Sequence, residues 1–206
     1  MKSINKYSGT ILLKNGFLYD SFKKNKIEKT SIHIENGLIK KIGKIKKTNF
    51  DLTIDCTNKL ITTGFTDIYS NFRDPGDSSI ETLVSGASAA MAGGYSRVCI
   101  SPNTNPVLDS KESIRYIYDK SKSAPIQVYP IGAVTKDIKG QELSEIGGMV
   151  EAGAIAISDG ENSLHNSQIM RYALEYSKKF NIRLINVPED KYLSNNGVMN
   201  ESIYST

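Results

Sequence analysis

The hydrophobic pattern changes its period once along the chain. Over the first 60 residues apolar positions alternate at strand spacing. Residues 10–19 read as a strand interrupted at Asn15-Gly16. Ser31-Ile32-His33-Ile34 alternates, Asn36-Gly37 offers a hairpin turn, and Leu38 to Ile42 returns. Leu52 to Asp55 is a further short strand. This predicts a small β domain over residues 1–60.

From Ile61 onward strands and helices alternate. The pattern predicts strands at 61–68, 95–101, 126–131, 154–158 and 182–187, with helices at 79–92, 110–121, 141–152 and 166–179. In the first helix Ile80, Leu83, Val84, Ala87 and Met91 recur at helical spacing, and Gly93-Gly94 closes it. Ile114, Ile117 and Tyr118 share a face of the second, Gly153 ends the third, and Asn166 stands as a cap before the fourth. Strands joined by helices imply an α/β domain over 61–206, with a parallel sheet and right-handed crossovers. A complete (β/α)8 barrel takes eight such units and about 250 residues, whereas 146 residues follow the first 60. The expectation is a partial TIM-type barrel of five β/α units, in a fragment or truncated form of a protein roughly twice as long.

Composition narrows the class. Hydrophobic residues make up 39% and charged residues 23%, which suits a buried core and argues against global disorder. The first 50 residues hold 12 lysines and 3 acidic residues, while the other 156 hold 14 basic and 19 acidic, so a +9 segment precedes a −5 remainder. A basic segment can meet nucleic acid or a membrane surface. Here the lysines are interspersed with Ile and Leu at strand spacing, no arginine precedes Arg73 and no nucleic-acid motif occurs, which reads as a solvated surface. No apolar run approaches the roughly 20 residues of a membrane span, and Met1 to Lys6 lacks the apolar core of a signal peptide. A cytoplasmic protein is expected, with neither nucleic acid nor membrane as partner. Cys56 and Cys99 have no metal-type spacing and read as reduced and structural.

Candidate chemistry gathers where the first barrel strand breaks at the turn Asp74-Pro75-Gly76. Residues just past the carboxyl end of such a strand face the active site, so Tyr69, Asn71 and Arg73 are expected at a ligand. The stretch Gly64-Phe65-Thr66-Asp67-Ile68-Tyr69-Ser70-Asn71-Phe72-Arg73-Asp74-Pro75-Gly76 resembles the first barrel strand of dihydroorotases, in the amidohydrolase superfamily, whose pattern is G-F-x-D-x-H-x-H-x-R-D-P-G. In that family the two histidines bind zinc and the arginine binds the substrate carboxylate. Here Tyr69 and Asn71 hold the histidine positions, and Arg73 is kept.

The resemblance makes the first 60 residues the N-terminal part of a composite β-sandwich, and it runs on in order along the rest of the chain. Glu81-Thr82 to Gly93-Gly94-Tyr95 is similar to the family's first helix. Ser101-Pro102-Asn103-Thr104-Asn105-Pro106 resembles its M-P-N-T-x-P loop, which places Asn103 beside Arg73 on the carboxylate; alone, the same residues would make an ordinary turn. A guanidinium fork plus one amide donor suits a carboxylate. Tyr129 to Thr135 with Gly140 to Leu143 resembles the third strand and loop. Ala152 to Gly160 resembles the fourth strand, where the family has S-D-D-G and one aspartate is a metal ligand in many members; Asp159 reads equally as a ligand or a turn residue. Leu184 to Asp190 resembles the fifth strand, I-x-x-H-x-E-D, with Val187 in place of a zinc-binding histidine, and Asn200-Glu201-Ser202 resembles the following N-E-G.

Zinc at a catalytic centre takes about three protein ligands, usually His with Asp or Glu. This chain has two histidines, His33 and His165, neither at a strand end matching the family's ligands. Tyr69, Asn71 and Val187 are poor substitutes for imidazoles. No Ser-His or Cys-His arrangement offers another route, and the family's general base lies on the last barrel strand. No metal is expected in this chain. The resemblance therefore implies a homologue that is non-catalytic, or alternatively an active dihydroorotase with an altered site or with ligands from a C-terminal half. It further implies dihydroorotate or carbamoyl-aspartate as ligand, aspartate carbamoyltransferase as a partner of inactive homologues, and a homo-oligomer at full length.

Overall fold

A computed structural model of the chain describes residues 8–20, 26–194, 197–199 and 202–204. Asn200 and Glu201, part of the N-E-S match, lie outside the described residues. The chain divides into two compact units, residues 1–64 and 65–206.

The first unit is a five-stranded sheet. Its strands are β1 (Thr10–Asp20), β2 (Lys26–Glu35), β3 (Leu38–Ile42), β4 (Leu52–Asp55) and β5 (Leu60–Ile61). The order is β3-β2-β1-β4, with β5 also on β1. The β2–β3 hairpin turns through Asn36 (φ 51°) and Gly37 (φ 73°), the positive φ pair a tight hairpin requires. Asn15-Gly16 does not interrupt β1; the register shifts between Leu13 and Gly16, so the strand continues through a bulge. A Cβ on Gly16 would lie 2.3 Å from Ile61 Cδ1, so glycine is what lets β5 lie alongside.

The expected strand at 61–68 is corrected. Ile61 belongs to β5, paired with Leu18 of the first unit, and the barrel strand is β6 (Phe65–Ser70). The apolar pattern runs through both, and only pairing separates them.

The second unit continues with α1 (Leu83–Ala92), β7 (Tyr95–Ile100), α2 (Lys111–Ser121), β8 (Gln127–Gly132), α3 (Ile146–Ala152), β9 (Ala156–Ser158), α4 (Ser167–Lys179), β10 (Arg183–Ile185) and the short α5 (Lys191–Ser194). The sheet is parallel throughout, in the order β10-β9-β8-β7-β6. Consecutive parallel strands joined by helices form the first five units of a (β/α)8 barrel.

Alternation sorts each strand's residues between two faces. Val98, Ile100, Val128, Ile157 and Leu184 pack with Leu83 and Ala87 of α1, Ile114 and Ile117 of α2, Met149 of α3 and Ala173 of α4. Cys99, Ile131 and Ala156 form the opposite face, with Tyr69, Tyr129 and Ile185 against them. The helices begin later than the pattern predicts. α1 starts at Leu83, where Thr82 and Ser85 form a capping box, so Ile80 is left 66% exposed ahead of the helix. Likewise residues 141–145 stay outside α3, because Leu143 bridges back to Thr135.

Candidate functional site

The carboxyl ends of β6, β7, β8 and β9 each carry a polar residue whose fate depends on its neighbours. After β6, Arg73 and Asp74 diverge. Arg73 is exposed and makes no hydrogen bond or ion pair with another described residue. Asp74 is fully buried. Its Oδ2 accepts from the Leu83 amide at 2.8 Å, at the N-terminus of α1, where an anion is favoured. Its Oδ1 accepts from Tyr116 Oη at 3.0 Å, and Lys120 Nζ lies 2.7 and 2.6 Å from the two oxygens. Burial pushes this carboxyl up, but the Lys120 ammonium, the Leu83 amide and the Tyr116 hydroxyl outweigh it and hold the group below its ordinary value. Asp74 thus ties the loop bearing Arg73 to α1 and α2.

The loop after β7 is tied just as firmly. Ser101 N–H extends the β6–β7 ladder to the Ser70 carbonyl at 2.9 Å, and Leu108 N–H returns to Pro102 O at 3.1 Å. Asn105 N–H donates to Pro75 O at 3.0 Å, which joins this loop to the one carrying Arg73. Asn103 is exposed at its tip. Its Oδ1 accepts from the Ser101 hydroxyl and lies 3.5 Å from Tyr69 Oη. Its amide nitrogen has no partner among the described residues. Tyr69 and Asn103 are therefore brought into contact, and Arg73 stands on a loop bonded to that of Asn103.

Asp159 follows β9 and is 3% exposed. Its Oδ1 accepts from Val134 N–H at 2.8 Å and Thr135 N–H at 2.9 Å. Its Oδ2 accepts from the Thr135 hydroxyl, whose oxygen in turn accepts from Gly140 N–H at 2.9 Å. Burial raises this carboxyl above its ordinary value, against the lowering by the Thr135 and Val134 donors. The structure gives Asp159 the part of an anchor between the ends of β8 and β9.

The other candidate positions stand apart. Asn71 is exposed. Val187 is also exposed, and its carbonyl accepts from the Ser163 hydroxyl and Glu189 N–H. His33 lies on β2 with its ring edge-on to Phe50 at 5.1 Å, and His165 is exposed ahead of α4. Cys56 and Cys99 are buried free thiols, and burial with the nearby Asp67 carboxylate pushes Cys99 up.

The donors do not fit the zinc that the resemblance implies. Among the described residues no group of three or more His, Cys, Asp or Glu is placed to hold a metal ion. The Tyr69 phenol faces the Asn103 oxygen, both Asp159 oxygens already accept hydrogen bonds from Val134 and Thr135 after β8, and the Val187 side chain has no donor atom.

Two residues that matter here carry no sequence signal of their own. Ser101 is 2% exposed, and its hydroxyl bonds the side chain two positions on. Gly160 (φ +68°) is small because a Cβ there would stand 2.5 Å from Asn103 Oδ1 and 3.0 Å from Tyr69 Oη. The S-D-G sequence suggests a turn, but not that another loop fills the space.

A family model described as Dihydro-orotase-like matches residues 58–205. The chain is 43% identical over 199 residues to a dihydroorotase of Caldicellulosiruptor saccharolyticus, covering 95% of this chain and 46% of that protein. It is 42% identical over 181 residues to a dihydroorotase of Geobacter metallireducens, covering 87% and 43%. The chain thus spans a little under half the length of these curated relatives. Among solved structures, the L-hydantoinase (dihydropyrimidinase) from Arthrobacter aurescens superposes with a TM-score of 0.68 at 17% identity, over 84% of this chain and 39% of that one. A dihydroorotase superposes with a TM-score of 0.59 at 11% identity, over 85% and 50%. At such identities the structures speak for the barrel fold alone. Among the described residues no helix is long and apolar enough to cross a membrane.

Proposed function

Because this chain belongs to the dihydro-orotase-like family, we propose that it is a homologue that binds a dihydroorotate- or carbamoyl-aspartate-type carboxylate without turning it over. One observation carries the reading. Arg73 is exposed and uncommitted, on a loop hydrogen-bonded to the loop that presents the free amide nitrogen of Asn103. A guanidinium fork and an amide donor are the groups a carboxylate needs. Turnover would need a Lewis acid to polarise the ring carbonyl and generate a nucleophile, and the donors at positions 69, 71, 159 and 187 do not supply its ligands. What remains to these residues is binding and orientation. Assembly with aspartate carbamoyltransferase, and with further copies of the chain, belongs to the same proposal.

Calorimetry in the presence of a chelator tests it, with L-dihydroorotate and N-carbamoyl-L-aspartate as ligands. The unmodified chain is expected to bind at least one of them, and Arg73→Ala to weaken binding by about 10-fold or more, as removal of a charge-assisted hydrogen bond does. Equal affinity of the two proteins would refute the carboxylate subsite. Stoichiometric zinc, together with interconversion of the two ligands that a chelator abolishes, would refute the non-catalytic part and favour an active enzyme with an altered site.

A further inference from the structure

We infer that Tyr69, with Ser101, is a positioning residue: the two hydroxyls hold the Asn103 amide with its nitrogen outward, so that the place of a lost cation ligand now supports a metal-independent carboxylate subsite. The inference rests on the carboxylate-binding reading above and says how the subsite is kept in working order.

The two ends of an asparagine amide are nearly the same size and opposite in polarity. Only the nitrogen end can donate to a carboxylate, whereas the oxygen end repels one. An exposed asparagine would present both unless something selects one. Here the selection is built in. Ser101 Oγ accepts the backbone N–H of Asn103 at 3.4 Å, which leaves its own proton for Asn103 Oδ1. Ser101 is itself buried beneath the loop, so water does not compete for that proton. Tyr69 brings a second hydroxyl to the same oxygen from β6, at 3.5 Å. Gly160 closes the third side, with room for no Cβ between Asn103 and Tyr69. Two hydroxyls face the oxygen and Gly160 lies against it, while the nitrogen has no partner among the described residues. Phenylalanine at position 69 would keep the ring and lose the proton, so the hydroxyl can be tested apart from the packing.

Calorimetric titration of L-dihydroorotate into the 206-residue chain, with chelator present, tests the inference through Tyr69→Phe, Ser101→Ala, Asn103→Ala and the double variant Tyr69→Phe/Asn103→Ala. Tyr69→Phe and Ser101→Ala are each expected to weaken binding about 3- to 10-fold, the range of a misplaced hydrogen bond. In the Asn103→Ala background Tyr69→Phe is expected to add nothing, because its effect passes through that amide. An undiminished further loss in that background would make Tyr69 merely structural and overturn the inference. So would unchanged binding by both single variants while Arg73→Ala still weakens it, and in that case the carboxylate reading stands. Absence of binding of both L-dihydroorotate and N-carbamoyl-L-aspartate by the unmodified chain ends both. A second measurement needs no variant of Tyr69 or Ser101 to fold. The side-chain amide signals of Asn103, assigned in 15N NMR spectra by their loss in Asn103→Ala, are expected to shift when dihydroorotate is added; signals that stay put overturn the inference.

Discussion

Two aspartates, Asp74 after β6 and Asp159 after β9, are both buried, yet their carboxyls are shifted in opposite directions. Asp74 has an ammonium within 2.7 Å of each oxygen, and its carboxyl is held below its ordinary value. Asp159 is offered only neutral donors, and burial pushes its carboxyl up. Depth alone does not set the charge of a carboxylate; the presence of a counterion does. The same contrast explains their roles. An ionised Asp74 draws two helices onto the Arg73 loop. Asp159 accepts three hydrogen bonds from the segment after β8 and so holds two strand ends together.

The contrast is broken most severely at Asp74. Asp74→Ala would leave the Lys120 ammonium without its anion and the Leu83 N–H without an acceptor. A loss of about 2–4 kcal/mol is expected, toward the lower end of what breaking a buried pair costs because Lys120 is partly exposed. Urea unfolding would measure it, and a change under 1 kcal/mol would contradict the assignment. Asp159→Ala strands three neutral donors instead, and about 1–3 kcal/mol is expected by the same measurement. Gly160→Ala should cost about 1–2 kcal/mol through its left-handed backbone and the contact with Asn103. It should also weaken dihydroorotate binding, which Asp159→Asn should disturb far less.

The smallest effect sharpens the contrast, because the two groups differ in the sign of their pH dependence. Asp74 has a lowered folded pKa, so its contribution is complete above the unfolded value of 3.8 and is lost as pH falls through the folded value. Asp159 has a raised folded pKa, so its contribution is complete below 3.8 and is lost as pH rises through the folded value. Stability measured from pH 3 to 7 should therefore lose part of its acid-side decline in Asp74→Asn. In Asp159→Asn the opposing slope above pH 3.8 should disappear. Parallel changes in the two variants would show that their environments do not differ as described.

The sequence conveyed the barrel well, because strand and helix periods are local properties. The strands β7, β9 and β10 and helices α1 to α4 fall within the expected segments, trimmed at their ends, and β8 is displaced by one residue, to Gln127–Gly132. It erred at residues 61–68, where Leu60–Ile61 is claimed by β1 through long-range pairing that no local pattern encodes. The candidate site was legible as a set of residue types. Arg73, Asn103 and Tyr69 could be named from position along the chain, but neither the contact between Tyr69 and Asn103 nor the freedom of Arg73 could be.

By itself, the amino-acid order determined the alternation of β and α elements, the turn at Asp74-Pro75-Gly76 and the shortage of imidazoles at the strand ends. All of these depend on residue identity and near neighbours. Only the tertiary structure decided that Arg73 is open while Asp74 beside it is sealed, that Asp159 is an anchor, and that Ser101, Tyr69 and Gly160 enclose one oxygen of Asn103. Those outcomes depend on which groups, far apart in the chain, reach hydrogen-bonding distance away from water. That distance is fixed by the packing of strands and helices, and not by any single stretch of sequence.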